Sequence, residues 1–446
     1  MTTAKWPSQG DGGPHGGRRR VRFMAVGAVA VAAALTAAGC SSSGGSSSGG
    51  SSSSSGGKTT ITELDYFTTG GTNTAVNTYN KQFEAAHPGV TVKREVVPFA
   101  NLITKVLQEA SAGDLPNIVM LDDPNVPQVA ATGQLLPLAG EPGFSTAGYV
   151  KGAISECSYQ GKQYCFPIGT NTVGLFYNKA MFAAKHLTPP TTWAQLESDA
   201  KALTSGKVYG FAFDATADEQ STFQLEPWAW GAGGKLDNVN SAAWKNSLQV
   251  WVNLVKNHSS SKSVLQWGQS PDLAQQFTNK TAAMVENGPW IFPLLNAAGM
   301  KYNVDYGVTS IPSEQAGQTP ITPLGGETWN LGKSGSKTQQ ADAWDWIKGT
   351  QTPAEMTYFS KESYYLPTKK SVLDQYTKLS PQYQVFAKET ETSRARTAEY
   401  GANYPKVSQA IWTAIQSAIT GTSSVSSALT QAQSTISGVA KVSSSG

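Results

Sequence analysis

Residues 59–125 read TTITELDYFTTGGTNTAVNTYNKQFEAAHPGVTVKREVVPFANLITKVLQEASAGDLPNIVMLDDPN. TTITELDYF (59–67) has the look of a first strand, and VTVKREVVP (90–98) alternates with period two. NIVML (117–121) is a short apolar run of the kind that forms a buried strand. Between them Val76, Tyr79 and Phe83 recur at helical spacing, and Leu102, Ile103, Val106, Leu107 and Ala110 trace one face of a second helix. The order strand–helix–strand–helix–strand predicts a parallel sheet covered by helices. Ligands of such sheets gather at the carboxyl ends of the strands. Two loops fall there, TTGGTN (68–73) and DDPN (122–125), so Asp122 and Asp123 become candidate ligand contacts.

The same style continues downstream with more aromatic weight. Thr192 and Gln195 have capping-box spacing ahead of a helix that carries Trp193, Leu196, Ala200 and Leu203. VYGFAF (208–213) reads as a strand, and Trp244, Leu248, Trp251 and Val255 form a helical stripe suited to a core. Ser270-Pro271 predicts a helix start with Pro at its first position, and Val425, Leu429, Ala432 and Ile436 mark a helix near the carboxyl end. No internal repeat stands out.

Upstream, the chain changes character. Arg18, Arg19, Arg20 and Arg22 precede the small apolar run Phe23–Ala38, which closes on Gly39-Cys40. A basic region, an apolar region and small residues at its end describe a secretory leader. The run falls short of the ~20 residues a membrane-spanning helix needs; a short anchor and an unmodified cleaved leader are the alternatives. From Ser41 to Gly57 only Ser and Gly occur, a composition that makes a flexible tether. The leader (1–39) carries a net charge of +4 from Lys5 and the four arginines against Asp11, out of +3 for the whole chain. The remainder is therefore nearly neutral, and no basic patch points to a nucleic-acid partner. It is also longer than the roughly 250–300 residues at which single cores divide, so two lobes are expected.

Two further cysteines occur in CSYQGKQYC (157–165), with Gly161 at the midpoint. This reads as a β-hairpin whose ends carry Cys157 and Cys165, and an exported chain lets them persist as a disulfide; two free thiols are the alternative. The four histidines (His15, His87, His186, His258) are scattered, and no metal site or cofactor is expected.

Catalytic signatures are near misses. GGKTT (56–60) lacks the first glycine of a phosphate loop, and Lys333-Ser334-Gly335 lacks its partner motif in the required order. A glycoside-hydrolysing carboxylate pair could be drawn from Asp122, Asp123, Glu226 and Glu327. What is abundant is aromatic side chains beside glycine: Trp228 and Trp230 in EPWAWGAGG (226–234), Trp290 in ENGPWIF (286–292), and Trp329 in LGGETWNL (324–331). Aromatic walls with a few placed polar groups suit a small-molecule pocket, while core packing is the alternative for each tryptophan.

Several segments resemble the carbohydrate-binding family of ABC-importer solute-binding proteins that includes maltodextrin-binding protein: FPIGTNTVGLFYNKAMF (166–182), TPPTTWAQLESDAKALT (188–204), FTNKTAAMVENGPW (277–290), GVTSIPSEQAG (307–317), YYLPTKKSVL (364–373) and NYPKV (403–407). TAAGC (36–40) is similar to a bacterial lipobox, which implies a lipid on Cys40. The resemblance implies a non-enzymatic protein with a two-lobed α/β periplasmic-binding fold, each lobe a mainly parallel sheet flanked by helices. The first lobe would comprise 58–169 with 312–352, the second 170–311 with 353–446. The cleft between them would close on a carbohydrate and present it to a membrane permease, with the protein a monomer held at the outer membrane face. Carried over by position, Trp228 and Trp290 match stacking aromatics, Glu226 an acidic neighbour, and Asn171 a polar contact on the crossing segment. Asp122 and Asp123 match hydroxyl acceptors, and Gly325 and Gly326 a close backbone approach. The late aromatic contact corresponds to Trp412 or Tyr404. Asn171 stands where maltodextrin binders carry an acid. Few basic residues accompany these loops, Arg394 and Arg396 being the exceptions.

Overall fold

The structure, a computed structural model, describes residues 58–68 and 70–442. The leader, Cys40 and the Ser/Gly tether lie outside the described residues.

The opening stretch folds as its pattern predicts. Strand β1 (Thr59–Asp65), helix α1 (Gly70–Ala86), strand β2 (Val90–Val96), helix α2 (Phe99–Ala112) and strand β3 (Ile118–Asp122) come in order. β1 pairs parallel with both β2 and β3. β3 is buried at every position, as a continuous apolar run requires. Helix α2 packs Leu102, Val106 and Ala110 inward and ends at Gly113, whose φ of 74° is the left-handed cap glycine supplies.

After β3 the chain makes the expected hairpin. Ser158–Tyr159 pairs antiparallel with Lys162–Gln163 around Gln160 (φ 49°) and Gly161 (φ 72°), a turn with two positive φ values that suits the strand twist. Cys157 and Cys165 form a disulfide across its base, with Cα atoms 5.0 Å apart.

Strand β4 (Cys165–Asn171) then completes the first sheet, and two residues later β5 (Gly174–Asn178) belongs to the second. Helix α3 (Trp193–Leu203), strand β6 (Tyr209–Ala212), helices α4 (Glu219–Gly231) and α5 (Ala242–Lys256), and strands β7 (Ala282–Asn287) and β8 (Tyr306–Thr309) build that second unit. Strand β9 (Gly325–Leu331) returns to the first sheet. The sheet orders are β2-β1-β3-β9-β4 and β8-β5-β7-β6. Parallel pairing holds where strand–helix–strand order builds the sheet, in β2-β1-β3 and in β7-β6. The strands next to the crossings run antiparallel, so both sheets are mixed, where mainly parallel sheets were expected.

Helix α6 (Lys337–Thr350) covers the first sheet, burying Ala343, Trp344, Trp346 and Ile347. Helix α7 (Pro353–Ser363) packs there as well, with Phe359 5.9 Å from Phe67 between ring centroids. The expected lobe boundary at 353 thus falls early. The chain crosses at Tyr364–Leu366, where Leu366 exchanges backbone hydrogen bonds with Thr170 (2.9 Å each way) and Tyr364 meets Phe292 of the second unit. Helices α8 (Tyr404–Thr420) and α9 (Val425–Ser437) close the second core, joining Trp228, Trp244, Leu248 and Trp251. The Ser270-Pro271 expectation needs correction: Ser270 is extended (φ −145°, ψ 129°), its bond to Pro271 is cis, and the short helix is Ala274–Thr278.

Candidate functional site: a cleft between the two sheets

A cavity of about 390 Å3 opens between the two units, within the roughly 300–1,000 Å3 of small-molecule sites. The first unit contributes the carboxyl ends of its strands and the turns just beyond them: Tyr66 to Thr68, the amino-terminal turn of α1 at Gly70–Thr72, Phe99, and Asp122 at the end of β3. Glu327 and Gly326 enter from β9 and Asn171 from the end of β4. The second unit supplies Glu219, Gln220 and Phe223 from the first turns of α4, then Gln269–Pro271 and Trp290. Tyr365, on the third crossing, and Arg396 complete it.

Backbone proximity explains the glycines. At Gly325 a Cβ would lie 2.3 Å from Asn171 Oδ1 and 2.8 Å from the Phe223 ring. At Gly326, with φ 154°, it would lie 2.3 Å from the Gly169 carbonyl oxygen. Any side chain here would force β9 away from β4 at the register irregularity beside Glu327. Gly288 does a similar job for Trp290, whose ring lies where a Cβ would sit. Trp290 is half-buried, with Phe223 6.3 Å away between ring centroids.

Arg396 is the electrostatic centre. Its side chain is 2% exposed, and Nη2 donates to Asp122 Oδ1 at 2.9 Å while Nη1 donates to Glu219 Oε1 at 2.8 Å. One guanidinium therefore ties the end of β3 to the start of α4, across the two units. Nε donates to the Leu324 carbonyl (3.2 Å), the backbone N–H donates to Glu156 Oε1 (3.0 Å), and the Phe223 ring centroid lies 4.8 Å from the guanidinium carbon. Glu219 also accepts from Ser408, and the Tyr404 hydroxyl sits between Glu219 Oε1 at 2.9 Å and Glu226 Oε1 at 3.0 Å, its one proton shared between them. Burial pushes the Glu219 carboxyl upward, and Arg396 opposes that shift. Burial lowers and the two carboxylates raise the Arg396 pKa, which ends well above its ordinary value, so the side chain stays charged.

Glu327 stands apart. Oε1 accepts from the hydroxyls of Tyr66 and Tyr365, the latter at 3.0 Å. Oε2 is buried and finds no hydrogen-bond partner among the described residues. Burial pushes this carboxyl up to about 8, with the two tyrosine donors pulling down and Asp122 pushing further up.

Of the residues singled out in the sequence, Asp122, Asn171, Gly326, Trp290, Glu327 and Arg396 line the cleft. The others are placed elsewhere. Trp228 is 1% exposed, packed against Trp193, Phe211 and Trp251, with its Nε1 donating to Glu286 at 2.9 Å. It is a core residue because α4 directs it onto the second sheet. Glu226, Asp123 and Gly325 lie buried behind the wall, and Trp329 is buried edge-on to Trp346. Tyr404 reaches the cleft only through Glu219, and Trp412 is half-buried outside it. Among the four carboxylates considered for hydrolysis, Asp122 is ion-paired and Asp123 and Glu226 are withdrawn. Among the described residues no cluster of metal-ligating side chains occurs. Sequence reading missed Tyr66, Phe99, Glu219, Phe223 and Tyr365, which carry no local signature; only DYF at the end of β1 and SRART (393–397) gave a signal.

A profile of bacterial extracellular solute-binding proteins matches residues 78–388. A galactooligosaccharide-binding protein of Bacillus subtilis is 24% identical over 381 residues, spanning 82% of this chain and 86% of its own length. Among solved structures, an ABC-transporter solute-binding protein of Thermotoga lettingae bound to α-D-tagatose superposes with a TM-score of 0.77 at 24% identity, covering 85% of this chain and 98% of the other. A maltose-bound protein of T. maritima gives 0.76 at 20% identity, covering 85% and 99%. The two-lobed fold is shared. The chain belongs to the bacterial extracellular solute-binding proteins, a family that binds its solute without transforming it.

Proposed function

We propose that this protein captures a carbohydrate, in particular an oligosaccharide, in the cleft and delivers it to the membrane subunits of an ABC importer. The observation that carries this reading is the pairing of Trp290 with hydrogen-bonding groups around one cavity: the half-buried ring from one unit lines the same space as Asn171, Glu327 and Asp122 of β4, β9 and β3. Aromatic rings cover the apolar C–H faces of sugars while amides and carboxylates take the hydroxyls, a division of labour expected of such pockets. The sugar-named relatives point the same way. Closure would proceed by hinge motion at the three crossings, near 171–174, 310–324 and 364–366. A leader over 1–39, a lipid on Cys40 and a tether over 40–57 would hold the monomer at the outer membrane face. In this reading the solute-contacting residues are Trp290, Asn171, Asp122, Gly326 and Glu327.

Isothermal titration with a panel of mono- and oligosaccharides tests the proposal. The expected result is saturable micromolar or tighter binding of one sugar class, with the sugar recovered unchanged. A folded protein silent across the panel would refute the carbohydrate reading.

A further inference from the structure

The cleft is richer in carboxyl groups than in cations. Asp122, Glu219 and Glu327 line it, and among the described residues neither lysine nor histidine does. Arg396 is the one arginine among the described residues that line it, and both its terminal nitrogens are engaged by Asp122 and Glu219. Glu327 is 4% exposed, has no ion-pair partner among the described residues, and leaves Oε2 unpaired. Asp123, Glu156 and Glu226 add three more buried carboxyls behind the same wall.

We propose that the cleft selects a sugar bearing a protonated amine, with the ammonium seated against Glu327 Oε2. The inference rests on the carbohydrate reading and narrows it to a charge class. A hydroxyl meets the protonated carboxyl as one neutral group beside another and gains an ordinary hydrogen bond. An ammonium releases that proton and gains a charge-assisted hydrogen bond to Oε2, roughly twice as strong. An anionic solute meets the opposite conditions, since both terminal nitrogens of Arg396 already pair with carboxylates. Burial keeps the Glu327 carboxyl at about 8 without solute, so the ammonium displaces a proton near neutral pH; the preference expected below is what survives that displacement.

The test uses the full-length protein at pH 7. The tightest-binding neutral sugar is compared by calorimetry with its singly amino-substituted counterparts and with its uronic-acid counterpart. The expected result is at least one amino sugar binding tenfold or more tightly than the neutral parent, and the uronic acid binding more weakly. Glu327→Gln keeps an acceptor for the two tyrosine hydroxyls and is expected to bring the amino-to-neutral ratio to about one. Should that variant fail to fold, the wild-type comparison decides alone. Amino counterparts that all bind no more tightly than the neutral sugar would overturn the inference and leave the carbohydrate reading standing. If no sugar of either kind binds, both fall.

Discussion

Replacing Arg396 with methionine is the most demanding perturbation of the site, because its consequences can be worked out bond by bond. Met keeps much of the apolar stem and removes the guanidinium together with its contact to the Phe223 ring, 4.8 Å to the centroid. Three charge-assisted hydrogen bonds disappear, to Asp122 at 2.9 Å and 3.4 Å and to Glu219 at 2.8 Å, together with a fourth bond to the Leu324 carbonyl. Asp122 and Glu219 then face each other with no cation between them. Breaking a buried ion pair by removing one partner costs about 3–5 kcal/mol, against a total stability of about 5–15 kcal/mol for a typical protein. Urea unfolding followed by both tryptophan fluorescence and far-UV circular dichroism measures this, coincident transitions licensing a single free energy. The expected loss is about 3–5 kcal/mol at pH 7.5. It should shrink at pH 5 as Glu219, which burial pushes upward and Arg396 no longer holds down, takes up a proton, and the additional change Asp122→Asn should restore part of it. A loss below about 1 kcal/mol at pH 7.5, the scale of an exposed pair, would refute the assignment of Arg396 as the bridge between the units.

Trp290→Ala is expected to weaken sugar binding by about ten- to a hundredfold, or about 1.4–2.7 kcal/mol, with little change in melting temperature; Trp228→Ala should instead destabilise by about 3–5 kcal/mol, and calorimetry paired with thermal unfolding separates the two. Burial raises Glu327 and Glu389 to about 8 each, so both hold protons in the folded state that the unfolded chain has lost. Stability from these groups is therefore complete below pH 4.5 and declines as pH rises toward 8; the melting temperature should fall over that window, and Glu327→Gln with Glu389→Gln should flatten the profile. Reducing the Cys157–Cys165 disulfide, which closes a short loop of sequence separation 8, should cost about 2.5 kcal/mol, read from urea midpoints with and without reductant.

The fold was legible where local periodicity and tertiary need coincide. Residues 59–122 announce their strands and helices because each buried face recurs at the spacing its element imposes. The loops after β1 and β3 were legible for a topological reason, since strand carboxyl ends converge on the crevice; Asp122 and the Gly70–Gly71 turn lie there. Trp228 was misread because a tryptophan beside glycines looks the same whether its helix turns it inward or outward. Helix α4 is buried at ten successive positions, Ser221–Trp230, so no apolar stripe marks which face meets the sheet. Glu219, Phe223 and Tyr365 are separated from Asp122 by about one hundred residues or more, and only the strand crossings make them neighbours. Arg396 sits in a segment without periodicity, and its importance comes from the two carboxylates that close on it.

The central claim is that both units hold one solute between them. Hydrogen–deuterium exchange with and without the tightest sugar found by calorimetry tests it most directly. Solute-dependent protection is expected in two groups of peptides at once, around 66–72 and 122 in the first unit and around 219–223 and 288–291 in the second, with the crossing at 171–174 also slowed. Protection confined to one unit, or centred on peptides remote from all of these, would contradict it.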